Sequence, residues 1–271
     1  MEYFPFISVM IIQKFCSGVF LRAFIFLIIM VGGYGCSPRP STSLKIATAA
    51  NMEYAMKEII AEFENNTTID CDLILGSSGK LTAQIREGAP FDVFVSADMK
   101  YPETLFLGNL TTTHPRIYAS GQLIWWSMTG VELDSINKNS LKQVKNIAIA
   151  NPKTAPYGQA AKEMLTNTQL WDSIQAKLVF AESIGQTNQY IESAVVDLGI
   201  TSLSVVKAPK MEGKGNWKII DSTSYSPIHQ GAVLIRSDKK TPSKEAKIFY
   251  DFLFSETVKA ILEKNGYQVP Q

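Results

Sequence analysis

The segment Gly76-Ser77-Ser78-Gly79-Lys80 contains residue types that could do chemistry in three different ways. Two hydroxyls, two glycines and a lysine could hold a phosphate group. Ser77 and Lys80 also fit the S-x-x-K pattern, in which a serine is acylated and a lysine acts as its base. Finally, the segment could begin a helix that binds an anion through N–H and O–H groups without reacting with it.

The catalytic signatures that share these residues are incomplete here. A Walker loop needs G-x-x-x-x-G-K followed by Ser or Thr, whereas Leu81 follows Lys80. The S-D-N and K-T-G motifs that accompany S-x-x-K in serine acyl-enzymes do not occur in the sequence. The residues thus leave an anion-binding helix start and an ordinary helix cap both open, and we keep an acyl-enzyme with Ser77 as nucleophile and Lys80 as base as the less favoured alternative.

The sequence predicts no cation site, no bound cofactor and no disulfide framework. It has only two histidines, His114 and His229, and neither H-E-x-x-H nor C-x-x-C occurs. Of the three cysteines, Cys71 lies within an apolar run and is expected to be a core residue.

Length and charge narrow the class of protein. The chain has 271 residues, enough for one large or two medium domains with a sizeable core. Its 26 Lys+Arg nearly balance 25 Asp+Glu, and no long run of like charge occurs. This balance does not point to a nucleic acid or an anionic membrane surface as the partner.

The first 35 residues predict export. Lys14 and Arg22 precede the apolar run Ala23–Val31, which is shorter than the roughly 20 residues of a membrane-spanning helix. Small residues and Cys36 follow, an arrangement that resembles a lipoprotein signal. We expect residues 1–35 to be a signal peptide, Cys36 to be lipidated, and the polar, Pro-containing residues 36–43 to be a tether. The mature protein would then lie outside the cytoplasm, as a periplasmic or a membrane-anchored lipoprotein.

Strand and helix patterns alternate along the rest of the chain. Apolar runs of strand length predict strands at 44–49, 71–75, 91–96, 122–127, 146–150, 177–180, 198–203 and 228–235. Apolar positions at helical spacing predict helices at 52–63, 80–87, 156–165, 184–194, 243–254 and 255–265. Such alternation predicts an α/β fold with mostly parallel sheets flanked by helices.

Polar or small residues follow four of these strands, where a helix begins. They are Asn51, Ser78 and the turns around Tyr157 and Ile184. Asn51 stands where a helix N-cap is expected. In an open α/β sheet these turns share the edge at which the strands end and ligands bind. Each helix start offers unpaired N–H groups and a partial positive charge, so several together could form an anion site without Lys or Arg. Every α/β protein has such turns, however, and Asn or Ser there can simply cap a helix.

Longer motifs carry a family resemblance. The chain contains AANMEYAMKEIIAEFE, GSSGKLTAQIREGAPFDVFVSAD, IANPKTAPYGQAAKEML, ESIGQTNQYIESAVVDLGITSLS and PIHQGAVLI, in that order. Together they are similar to the molybdate-binding periplasmic proteins of ABC transporters, the ModA family, over Leu44 to Gly266.

The resemblance implies a two-lobed, type II periplasmic-binding-protein fold whose lobes close about a hinge on a tetrahedral oxyanion. One lobe would contain residues 44–120 and 227–271, and the other residues 121–226. The protein would be a non-enzymatic monomer that binds molybdate or tungstate and delivers it to an ABC permease. By position, the implied anion ligands are Asn51 and Ser78, the main-chain N–H groups of Tyr157 and Ile184, and Ser202.

Two positions depart from the best-known branch of that family. This chain has Asn51 where that branch has serine, and Ser202 where that branch has tyrosine. It is similar instead to a branch with Asn at the first position, and the amide of Asn51 could donate to an anion. The role of Ser202 stays open, and so does another oxyanion, such as sulfate or a phosphonate, as the ligand.

Overall fold

Residues 43–236 and 242–270 are described by the structure, which is a computed structural model. The predicted signal peptide, Cys36 and most of the tether lie outside these residues. The strands are β1 Leu44–Ala49, β2 Cys71–Gly76, β3 Val93–Val95, β4 Arg116–Gly121, β5 Leu123–Ser127, β6 Ile147–Ala150, β7 Leu178–Ala181, β8 Leu198–Ser202, β9 Asn216–Ile219 and β10 Ile228–Leu234. The helices are α1 Glu53–Asn66, α2 Ser78–Arg86, α3 Lys100–Leu107, α4 Ser140–Gln143, α5 Pro156–Asn167, α6 Trp171–Ile174, α7 Ile184–Glu192, α8 Leu203–Lys207, α9 Lys244–Phe252 and α10 Glu256–Lys264.

The strands form two five-stranded sheets with the same plan. The first has the order β2-β1-β3-β10-β4, and the second has the order β7-β6-β8-β5-β9. In the first sheet β1 pairs parallel with β2 and β3, while β10 pairs antiparallel with β3 and β4. In the second, β6 pairs parallel with β7 and β8, while β5 pairs antiparallel with β8 and β9. The predicted two-lobed α/β fold with helix-flanked sheets is confirmed.

Each sheet is mixed, rather than parallel throughout. The antiparallel pairs all involve β4, β5, β9 or β10, the strands next to the two points where the chain changes sheet. It passes from the first sheet to the second between Gly121 and Leu123, and returns between Ile219 and Ile228. In each sheet the strand that runs opposite to the other four is the first one after a crossing, namely β10 in the first sheet and β5 in the second.

Apolar stripes of the helices cover the sheets, as their spacing predicts. In α1 the residues that face inward include Met56, Ile59 and Phe63, all essentially buried. The ring of Phe63 packs edge-on against Phe249 of α9, with ring centroids 5.0 Å apart. Burial of large side chains like these contributes about 1.5–3 kcal/mol each and seats α1 and α9 on the first sheet.

Two helix starts near the end of the chain have serine caps. The Ser243 hydroxyl accepts from Ala246 N, and the Ser255 hydroxyl accepts from Val258 N. Asn51 behaves differently from its prediction. Residues Ala50–Met52 form a 3₁₀ turn ahead of α1, and the Asn51 side chain caps neither element. The N-cap assignment was wrong because the side-chain amide of Asn51 donates hydrogen bonds to Gln230 and Tyr267 instead.

Candidate functional site

A small cavity lies where the carboxyl ends of strands from both lobes face each other. The first lobe lines it with residues 49–51, residues 76–78 and Ala97, and the second lobe with residues 155–157 and Ile184. The space between them, including its open mouth, is about 190 Å³. The structure thus brings Asn51, Ser78, Tyr157 and Ile184 together around one space.

Ser78 is the first residue of α2 and is fully buried. Ala97 N, which follows β3, donates to Ser78 Oγ over 3.0 Å. That bond occupies an acceptor position of the hydroxyl and leaves its own proton to be donated. The neighbouring strand therefore orients Ser78 as a hydrogen-bond donor at the start of a helix, where the helix dipole also favours negative charge.

Asn51 is held by four hydrogen bonds to residues far away in the sequence. Its Nδ2 donates to Gln230 Oε1 at 2.9 Å and to the Tyr267 hydroxyl at 3.1 Å. Its carbonyl oxygen accepts from the Tyr267 hydroxyl at 2.8 Å and from Ser204 Oγ at 2.9 Å. Because both amide hydrogens are engaged, the side chain fixes the turn in this conformation, and the main chain of Asn51 is left to offer a donor to the cavity.

Gln230 connects this turn to the second lobe. It is fully buried in β10, its Oε1 lies 2.9 Å from the Tyr118 hydroxyl, and its Nε2 donates to the Tyr157 hydroxyl at 3.2 Å. Burial raises the pKa of Tyr157, Tyr118 and Tyr267 well above its ordinary value. These phenols consequently stay neutral and serve as hydrogen-bonding groups behind the cavity.

Tyr157 and Ile184 stand at helix starts on the second-lobe side. Tyr157 is the second residue of α5, after Pro156, and Ile184 is the first residue of α7. The first N–H groups of a helix have no partner within it. The Ser183 hydroxyl accepts from Gln186 N, deeper in α7, so it does not compete for the N–H of Ile184. Both helices consequently present main-chain donors toward the cavity side of the lobe.

Ser202 is not among the residues that line the cavity. It is connected to the lining residue Asn51 through the side chain of Ser204. Its Oγ is 2.9 Å from Ser204 Oγ, and the Ser204 hydroxyl donates to Asn51 O. Since Ser204 has one proton, Ser202 is the donor between the two serines. The position implied by the resemblance thus reaches the cavity only through Ser204 and the Asn51 turn.

The cavity is electrically neutral in its side chains. Among the described residues, no Lys, Arg, His, Asp or Glu lines it. Its polar groups are hydroxyls and helix-start N–H groups, which can all donate to an anion. The arrangement can bind a small anion, and it contains no group suited to move a proton at neutral pH.

The two lobes touch each other around this cavity. Gly79 N donates to Thr154 O of the second lobe over 2.9 Å. The Tyr101 hydroxyl lies 3.3 Å from Lys153 O, and Lys80 forms an exposed ion pair with Glu182. These contacts close one side of the cavity between the start of α2 and the loop before α5.

The structure does not bring together the residues of the acyl-enzyme alternative. Lys80 Nζ bonds to Glu182 at the surface, while Ser77 Oγ is buried without a hydrogen-bond partner among the described residues. Within residues 43–236 and 242–270, no three His, Cys, Asp or Glu side chains form a candidate metal site. Burial raises the pKa of the Cys71 thiol to about 12, which keeps it protonated and unreactive.

Sequence reasoning missed Gln230, Tyr267 and Ser204. A signal for Gln230 was present, because it is a polar residue inside the otherwise apolar part of strand β10. Tyr267 follows the last helix in a short polar segment and has no such signal. Their importance comes from partners that are distant in the sequence.

Comparisons with known proteins match nearly the whole described chain. A family model of bacterial extracellular solute-binding proteins matches residues 44–268. The chain is 34% identical over 233 residues to the molybdate-binding protein ModA of Azotobacter vinelandii, covering 84% of this chain and 90% of that protein. ModA of Rhodobacter capsulatus is 32% identical over 231 residues, covering 85% of this chain and 90% of that protein. The structure of the Azotobacter vinelandii periplasmic molybdate-binding protein superposes with a TM-score of 0.77 and 32% identity, over 84% of this chain and 100% of that one.

Proposed function

Because this chain belongs to the bacterial extracellular solute-binding protein family, we propose that it captures molybdate outside the cytoplasm and delivers it to the permease of an ABC transporter. The observation that carries this proposal is the neutral cavity between the lobes, where Ser78 and the starts of α5 and α7 face one space. Tungstate, a tetrahedral dianion of the same shape, is a second ligand of the same site.

The donors of the cavity select for a fully deprotonated anion. N–H groups can only donate, so an oxyanion that still carries a proton cannot bond its O–H to any of the main-chain donors there. Each buried polar group without a partner costs about 1–3 kcal/mol. A smaller anion such as sulfate is disfavoured for a related reason, since it cannot reach the donors of both lobes at once.

Each ligand residue has a definite role in this proposal. The Ser78 hydroxyl donates from the first lobe, and main-chain N–H groups donate at Asn51, Tyr157 and Ile184. Ser202 acts indirectly, through Ser204, on the carbonyl of Asn51. The protein needs no cofactor for this task, and it acts as a binding protein rather than as an enzyme.

The remaining assignments concern export and assembly. The chain works as a monomer, is exported through its first 35 residues, and is anchored by a lipid on Cys36. Across the described ranges, no helix has the length and apolar character needed to cross a bilayer.

Mass spectrometry of the mature N-terminus tests the anchor, because a diacylglycerol-modified Cys36 differs in mass from a cleaved product without lipid.

Isothermal titration calorimetry with molybdate, tungstate, sulfate and phosphate tests the function. We expect tight binding of the first two anions and much weaker binding of the others. A protein that gives no heat with molybdate and tungstate, or that binds sulfate equally well, does not have the proposed function.

Replacing Ser78 by alanine is expected to weaken molybdate binding by about 1–3 kcal/mol, because one donor to a charged group is lost. Calorimetry of the purified variant measures this loss. Ser193→Ala is the matched control, since the Ser193 hydroxyl bonds within its own helix on the exposed surface. Unchanged affinity in Ser78→Ala would show that Ser78 does not contact the anion.

A further inference from the structure

We infer that Ser77 supplies a second side-chain hydroxyl to the bound anion, next to that of Ser78. The inference rests on the proposed function and extends it by one ligand. The first observation is that the Ser77 side chain makes no helix-capping hydrogen bond, although Ser77 is at a capping position. Ser77 is the N-cap residue of α2, with extended backbone at φ −72° and ψ 146°, yet its side chain caps no N–H of that helix.

A serine at an N-cap normally accepts a hydrogen bond from the second or third N–H of its helix. The Ser77 hydroxyl accepts no such bond from α2. The main-chain carbonyl of Ser77, by contrast, does accept from Leu81 N at 3.0 Å. At three other N-caps, Ser183, Ser243 and Ser255, the hydroxyl does accept from the residue three positions on. Ser202, the N-cap residue of α8, makes no cap bond, but its hydroxyl bonds to Ser204 Oγ. Among the described serine caps, Ser77 therefore differs in having neither a cap bond nor another partner for its hydroxyl.

The Ser77 hydroxyl is buried at the cavity without a protein partner. Ser77 is only 3% exposed and lines the cavity beside Ser78. Within the described part of the chain, no hydrogen-bond partner lies within reach of its Oγ. Buried hydroxyls are almost always paired, so this one calls for an explanation. An anion oxygen in the cavity provides the missing acceptor.

The two neighbouring serines are prepared in complementary ways. Ser78 Oγ already accepts from Ala97 N, so it is oriented before a ligand arrives. Ser77 Oγ has no such bond and gains its hydrogen bond only when the anion is present. A fully deprotonated tetrahedral dianion offers enough lone pairs to accept from both hydroxyls and from the main-chain donors together.

Ser77→Ala tests the inference by two measurements on the full mature chain. We expect calorimetry to show molybdate affinity reduced about ten- to hundredfold, because hydrogen bonds to charged groups are among the stronger ones. We also expect the melting temperature of the ligand-free variant to equal or exceed that of the wild type, since no protein hydrogen bond is removed. A residue with a purely structural role would lower both quantities.

Thr112→Val is the matched control. The Thr112 hydroxyl is also buried without a partner among the described residues, but it does not line the cavity. We expect its removal to leave molybdate affinity unchanged. The inference is overturned if Ser77→Ala binds molybdate within about twofold of the wild type, or if its ligand-free melting temperature falls by several degrees. The wild-type titration with molybdate tests the proposed function by itself, so failure of this inference can be distinguished from failure of that function.

Discussion

Gly79→Ala is expected to weaken molybdate binding by about a hundredfold while the ligand-free protein stays folded. A Cβ at Gly79 would lie 2.8 Å from Thr154 O and 3.0 Å from Thr154 Cα, both main-chain atoms of the facing lobe. It would also lie 2.6 Å from the Tyr101 hydroxyl. Overpacking of this kind costs about 1–3 kcal/mol, and loss of the bond from Gly79 N to Thr154 O adds about 1 kcal/mol.

The clash with the main chain of Thr154 is between the lobes and therefore falls only on their closed arrangement, whereas Tyr101 belongs to the same lobe as Gly79 and the end of its side chain can move aside. In α2 itself alanine is favoured over glycine by up to about 1 kcal/mol, so the melting temperature without ligand should not fall. Calorimetry and thermal unfolding, each with and without molybdate, separate the two effects. Wild-type affinity in this variant would mean that binding does not require the approach of Gly79 to Thr154.

Gly185→Ala is the matched control for this experiment. Gly185 lies at the start of α7 and also faces the other lobe, but a Cβ there would meet Ala50 Cβ at 3.5 Å, an ordinary contact distance. We expect its affinity for molybdate to stay within a few fold of the wild type. Gly79→Ala and Gly185→Ala thus compare a methyl group that prevents the lobes from approaching each other with a methyl group that fits between them.

Gln230→Leu is expected to lower both stability and molybdate affinity. The change removes the acceptor of Asn51 Nδ2 at 2.9 Å and the donor to the Tyr157 hydroxyl at 3.2 Å, and it removes the Tyr118 contact. The Tyr118 hydroxyl keeps Ser96 O as a partner, but an amide hydrogen of Asn51 and the Tyr157 hydroxyl are left unpaired. Each such group costs about 1–3 kcal/mol in the buried interior, so the free energy of unfolding should fall by about 2 kcal/mol or more. Urea unfolding and calorimetry measure the two losses.

The affinity should fall because Gln230 holds the Asn51 turn and the Tyr157 side chain from one point between the lobes. His229→Ala, at the adjacent exposed position of β10, is the control and should change the free energy of unfolding by less than about 0.5 kcal/mol. If Gln230→Leu unfolds like the wild type, the buried network does not stabilise the protein as the geometry implies.

Much of the fold could be predicted from the sequence because its signals are local. The stripe of Met56, Ile59 and Phe63 at helical spacing predicts α1, and the apolar run at 44–49 predicts β1 with the bounds that the structure has. Strands β4 and β9 were not predicted. β9 is an exposed edge strand of only four residues, Asn216–Ile219, which is too short for its alternation of polar and apolar residues to indicate a strand.

The location of the candidate site could also be predicted. The carboxyl ends of neighbouring parallel strands share one edge of a sheet, so Asn51 and Ser78 had to lie close together once β1 and β2 paired. That reasoning identifies which turns meet. It does not specify which donors of those turns are free.

The sequence by itself determined the alternation of strands and helices, the position of the helix starts and the absence of a charged motif at the site. Only the tertiary structure decided how each polar group is used. Gln230 and Tyr267, which engage Asn51, lie 179 and 216 positions further along the chain. The same holds for the adjacent serines Ser77 and Ser78. Within the described part of the chain, the hydroxyl of Ser78 has a partner, Ala97 N, and that of Ser77 has none. Local spacing predicts secondary structure because it reflects burial, whereas hydrogen-bond partners are set by which distant segments the folded core brings together.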